Sequence, residues 1–280
     1  MKMRTKAPAL RSWHIVASAA ASLLLAALSV HAQMSPIVVE NFGGTGAALN
    51  GTTADLFDPW ITAAGGSSTW GAGAAFLDNG TVSVDAVQNA AYLNLGSYIN
   101  NTKGTASGLF DLTMTISPTV GNWISLGFAT NTTPNTARNF TDTGSTPPAG
   151  LTVGIATIIY RATGAPGELD MFGGLGNQNA VDGPDGNTGN RRLTVTLDLT
   201  PAFYNGSTTF GKVTWSDSVL GTLGTFNYTA ARSFGSILIS EANSSGGTIS
   251  GLTLSQIPEP STLALLGLGG LGLILRRRRS

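Results

Sequence analysis

The sequence predicts an all-β fold, two antiparallel sheets packed face to face in a β-sandwich of jelly-roll type. Between Gln33 and Gln256 no stretch of useful length repeats with a helical period, while many short runs alternate apolar and polar residues. Clusters of turn-forming residues separate the runs and leave only short connections. Roughly a dozen strands on that spacing need two layers, because each strand has one apolar face to bury.

The elements follow in chain order. Residues 110–117, Phe-Asp-Leu-Thr-Met-Thr-Ile-Ser, place an apolar side chain at every second position, and residues 193–200, Leu-Thr-Val-Thr-Leu-Asp-Leu-Thr, repeat the pattern. Each strand is thus expected to have one buried and one wet face. Less regular runs cover 37–42, 81–87, 91–99, 123–130, 151–161, 168–172, 212–216, 224–229, 235–240 and 248–254. Threonine and serine fill the outward positions, where they suit an extended backbone and bond water. Turns fall at Asp78-Asn79-Gly80, Thr146-Pro147-Pro148, residues 182–187 and residues 243–247. Segment 43–75, with Gly43-Gly44, Gly65-Gly66 and Gly71-Ala72-Gly73, is the least patterned and reads as a long surface excursion.

Both ends of the chain depart from this composition. Lys2, Arg4, Lys6 and Arg11 form a positive region before an apolar run from Ile15 to Leu28, and Val30-His31-Ala32 precedes an expected cut. Residues 1–32 therefore read as a signal peptide, leaving residues 33–256 as the β-sandwich domain. That body holds seven basic residues against fourteen acids, a net charge of −7. An acidic body argues against nucleic-acid partners, which need basic patches. His14 and His31 both fall in the signal peptide and the chain has no cysteine, so disulfides, cysteine nucleophiles and histidine acid–base chemistry are excluded from the mature protein.

After Gln256 come Pro258-Glu259-Pro260, an apolar stretch 262–275 and Arg276, Arg277, Arg278 and Arg279. The prolines stop the tail from continuing into the body as a helix. Fourteen helical residues rise about 21 Å, so crossing a bilayer requires local thinning and arginines that reach the headgroups. The arginines stay cytoplasmic by the positive-inside rule. Residues 257–280 resemble the PEP-CTERM sorting signal of Gram-negative bacteria, with all three parts in order. The resemblance implies an exported protein anchored in the inner membrane through the 262–275 transmembrane helix. An exosortase would then process it near Pro258, Glu259 and Pro260 and release it to the cell surface or extracellular matrix, in a setting associated with exopolysaccharide. Residues 247–254 resemble, more weakly, the last strand of concanavalin-like and jelly-roll carbohydrate-associated domains, which names no ligand.

Without histidine and cysteine, the chemistry left open is glycoside hydrolysis by two carboxylates. Glu168 and Asp170 share one face of an expected strand, opposite Leu169 and Met171. They resemble the acidic strand of laminarinase-type jelly-roll glucanases, whose third acid should fall at 172 or 173. Phe172 and Gly173 stand there instead, and a solvated strand face is the plainer reading. Asp182, Asp185 and Asn187 place oxygen ligands close enough for Ca²⁺, in a turn that fits no EF-hand. Trp60, Trp70, Trp123, Trp215, Tyr92, Tyr160 and Tyr204 are able to stack on sugars, although such residues more often pack a core. The expected function is that of a non-enzymatic surface or matrix protein, associated with exopolysaccharide or adhesion and without a cofactor. A glycan-active enzyme using Glu168 and Asp170, or a carbohydrate-binding module, is the alternative.

Overall fold

The alternating runs form strands in the computed structural model, which describes residues 34–84, 89–119, 123–132, 154–162, 169–173, 179–181, 189–241 and 246–257. In chain order the elements are β1 (Ser35–Glu40), β2 (Leu56–Phe57), α1 (Pro59–Ala63), β3 (Trp70–Ala72), β4 (Thr81–Val82), β5 (Asn89–Asn94) and α2 (Tyr98–Asn101). They continue with β6 (Leu109–Pro118), β7 (Trp123–Ala129), β8 (Gly154–Arg161), β9 (Leu169–Phe172), β10 (Asn179–Val181) and β11 (Arg191–Asp198). The last four are β12 (Lys212–Asp217), β13 (Gly221–Asn227), β14 (Ser236–Glu241) and β15 (Gly247–Gln256).

The strands make two sheets, and every pairing is antiparallel. One has eight strands in the order β13-β12-β11-β6-β15-β1-β2, with β4 also paired to β15; the other has seven, β10-β9-β8-β7-β14-β5-β3. The last strand, β15, therefore lies inside its sheet between β6 and β1. Leu112, Met114, Val195, Leu197 and Trp215 of the first sheet meet Ile124, Leu126, Ile158, Met171 and Ile239 of the second in one core. The antiparallel two-sheet sandwich read from the sequence is the fold found. The signal peptide (1–32), the tail with its 262–275 helix, Glu168 and residues 182–187 lie outside the described residues. Among the described residues no helix is long and apolar enough to cross a membrane.

Two expectations are corrected. Segment 43–75 is a surface excursion only in part: most of it is exposed or half-buried, but Leu49, Ala54, Ile61, Trp70, Ala72 and Ala75 from it are buried. Its apolar residues are spaced by turns instead of a strand period, so they anchor loops singly. Nor does every strand keep a wet face. The pattern holds in β6 and β12, whose positions alternate buried and half-buried, but β14 and the described part of β9 are buried throughout.

Polar contacts cross the sandwich. The Trp70 indole Nε1 of β3 donates to Glu40 Oε2 of β1 at 3.0 Å. Arg191 of β11, buried in the core, pairs with Asp217 at 2.9 Å, and its guanidinium lies 5.2 Å from the ring centroid of Tyr160 in β8. The Tyr160 hydroxyl donates to the Gly189 carbonyl at 3.1 Å.

Candidate functional site

The Asp170 carboxylate expected on β9 is present and has a cation beside it. Leu169 and Met171 enter the core, so strand parity sends Asp170 to the opposite face. There it is 6 % exposed and pairs with Arg161 Nη2 at 3.4 Å, which contradicts the solvated face expected for it. Phe172 is buried, and a side chain added at Gly173 would start 2.5 Å from the Phe226 ring. The third acid is missing, and the backbone at 173 leaves it no room. Glu241 faces the core side of β14, where it accepts the Asn89 N–H at 2.8 Å, and Asp198 stands in the other sheet beside Thr200. Neither approaches Asp170 on its own face.

A second acid group, not singled out in the sequence, surrounds a cleft of about 480 Å³ lined by Glu40, Asp55 and Asp78. Glu40 accepts the Phe42 N–H at 2.8 Å and the Trp70 indole. Burial raises its pKa above the ordinary value, the two bonds pull it back, and the charges of Asp55 and Asp78 add to the rise. Asp55 and Asp78 are themselves used by the backbone, accepting from Asn41 at 2.8 Å and Gly46 at 2.6 Å. Among the described residues no set of three or more acids or histidines is arranged to hold a metal ion.

A cleft of about 620 Å³ lies at the end of the sandwich where β15 finishes. Its rim is built by α1 and α2. Asp58 caps α1 by accepting the Trp60 N–H at 2.8 Å, and Pro59 takes the first helical position, where its fixed φ suits the turn and no amide donor is lost. Ile61 is fully buried and pins the helix, so Trp60 is turned outward and is 73 % exposed. Asp58, Tyr98, Asn101 and Gln256 share the cleft with it. Gln256 is held from two sides: its Oε1 accepts the Tyr98 hydroxyl at 2.5 Å and its Nε2 donates to the Ser107 carbonyl at 2.7 Å.

The seven aromatic candidates are thereby sorted. Trp70, Trp215 and Tyr160 are core residues, and Tyr92, Trp123 and Tyr204 are half-buried. Trp60 alone of the seven stands in solvent. Its sequence signal was Asp58-Pro59, a helix start, followed by an apolar residue that no periodicity calls inward.

One residue beyond Gln256, the Ile257 N–H donates to the Leu109 carbonyl at 3.2 Å, the last backbone bond of the described residues before the tail. Residues 256–279 match the family model of the PEP-CTERM protein-sorting motif. The tail is thus a protein-sorting signal, and its match begins where the sandwich ends. No curated protein matches the chain. Among solved structures, it is similar to the carbohydrate recognition domain of Emp47p, with 12 % identity, a TM-score of 0.44, and coverage of 81 % of this chain and 99 % of that one. It is also similar to the basic winged bean lectin solved with Tn-antigen, at 10 % identity and TM-score 0.35 over 62 % of this chain and 82 % of that one. The SPRY domain of human HERC1 follows at 14 % and 0.34, over 63 % and 87 %. These likenesses carry no ligand or activity to this chain.

Proposed function

We propose that this is an exported surface or matrix protein, delivered by exosortase processing of its tail, that works without catalysis in association with extracellular polysaccharide. The match of residues 256–279 to the sorting motif carries this reading. The body adds to it: an acidic sandwich with no histidine or cysteine, whose one described acid of the expected hydrolase pair is tied to Arg161. Extracellular polysaccharide is the setting that the resemblance to this sorting signal implies, and the acidic charge of the body argues against nucleic acid as a partner.

The test is made on the protein exported by its own cells. Mass spectrometry of the surface and matrix fractions should find peptides of the sandwich and none from residues 263–280. The same preparation should release no reducing sugar from laminarin, with or without Glu168→Gln. An intact tail in the matrix fraction would sink the sorting route, and sugar release abolished by Glu168→Gln would make the enzyme reading the leading one.

A further inference from the structure

We propose that the cleft beside Trp60 is a glycan subsite that holds a ring of an uncharged polysaccharide flat against the indole; this rests on the polysaccharide reading above and locates it. An indole is costly to leave in water, and a folded domain normally buries or half-buries it, as this one does with Trp70, Trp215 and Trp123. Trp60 stays 73 % exposed on a rigid mount. Pro59 fixes the backbone, the Asp58 cap closes the first turn, and buried Ile61 ties the turn to the core. A platform fixed in advance loses little conformational freedom when a ligand stacks on it.

A sugar ring has an apolar C–H face and a rim of hydroxyls that both donate and accept. The first wants a flat aromatic surface, the second planar polar groups set around its edge. The cleft supplies both. Asp58 uses Oδ1 for the helix cap, which leaves Oδ2 without a partner among the described residues. Asn101 spends its amide on the Ser97 hydroxyl at 3.1 Å and keeps its carbonyl oxygen as an acceptor. The Tyr98–Gln256–Ser107 chain closes the floor, so these side chains are already oriented. At about 620 Å³ the cleft falls within the usual range for small-ligand sites.

Charge selects among glycans. Among the described residues no basic side chain lines the cleft, Asp58 stands in it, and the body carries −7. Uronate- or sulfate-bearing chains would be repelled, whereas a neutral polysaccharide meets no such penalty.

The test is affinity electrophoresis of the exported protein through gels containing hydroxyethylcellulose, galactomannan, laminarin or, as the charged probe, polygalacturonate. At least one neutral polymer should retard the protein. Trp60→Ala should weaken that retardation about tenfold, Trp60→Phe should restore part of it, and Asn101→Ala should weaken it less than Trp60→Ala does. The melting temperature of Trp60→Ala should match the parent, since so exposed a side chain contributes little to the fold. Retardation that persists in Trp60→Ala would overturn this subsite and leave the polysaccharide reading standing elsewhere on the body. Stronger retardation by polygalacturonate would overturn the neutral-glycan assignment. Retardation by none of the four would overturn both the subsite and the polysaccharide reading.

Discussion

β6 and β7 are consecutive strands of similar apolar content on opposite sheets, and they solve the outward face differently. Past Leu109 at its start, the outward residues of β6 are Asp111, Thr113, Thr115 and Ser117, all half-buried. Those of β7 between its ends are Ser125 and Gly127, both buried, with Ala129 at the strand end also buried. In β14 next to it they are Ser236, Leu238 and Ser240, again buried, and the Ser125 and Ser240 hydroxyls bond to each other. A period of two persists in both strands. In β6 it separates apolar from polar; in β7 it separates large from small. Where the outer face is wet, threonine is enough, and where it is closed, size decides what fits.

This contrast can be broken first where the two sheets meet. Arg191 belongs to the eight-stranded sheet but sits in the core, paired with Asp217 and stacked toward Tyr160 of the other sheet. Arg191→Met should cost about 3–5 kcal/mol, because it leaves the Asp217 carboxylate buried without its cation. Urea unfolding measures this, and a loss under about 1 kcal/mol would show that the pair does not bear on the seam.

The second test compares outward positions directly. At Gly127 an added side chain would lie 2.2 Å from the Ala156 carbonyl oxygen and 2.5 Å from Thr157, so Gly127→Val should destabilise by about 1–3 kcal/mol or more. Thr194, half-buried on the outward face of β11, should accept valine within about 0.5 kcal/mol. Equal costs at the two sites would remove the distinction between the sheets.

The smallest expected effect is a pH dependence at the Glu40–Trp70 contact. Burial raises the folded pKa of Glu40 above its ordinary value of 4.5, so the native state holds its proton more tightly than the unfolded chain. The ionised group therefore costs stability at all pH values above the raised pKa, and that cost is relieved as pH falls from there toward 4.5. Melting profiles of the parent and Glu40→Gln should converge or cross in that acidic window. Parallel profiles would mean that Glu40 does not titrate with folding.

The contrast also explains what could be read in the sequence. The eight-stranded sheet was legible because β6 and β11 alternate by polarity, and their registers follow: Leu112 faces Val195 and Met114 faces Leu193. All the expected strand runs contain strands, since turn residues mark their ends. β2, β3 and β10 were missed, being two or three residues long and too short to show a period. Burial of Leu49 and Ile61 was missed for a related reason: single anchors between turns leave no repeat. The Asp58-Pro59 helix start was readable from capping preferences alone and would have placed α1. Trp60 was legible as one of seven aromatics, but which of them remained in solvent depends on Ile61 being drawn inward, a tertiary fact. The closed second face of β7 and β14 left only small residues as its trace, and small residues also occur on wet faces.

The placement of β15 has a mechanical consequence. Its C-terminal half, Leu252–Gln256, pairs with β1 on one side, and the strand pairs with β6 on the other apart from a bulge between Ser250 and Thr253, with bonds running across the strand direction. A pull on the chain end beyond Ile257 acts along the strand, so it loads both rows in shear at once and cannot peel them one bond at a time. A body tethered by this end would take the load on a strand that neighbours hold on both sides.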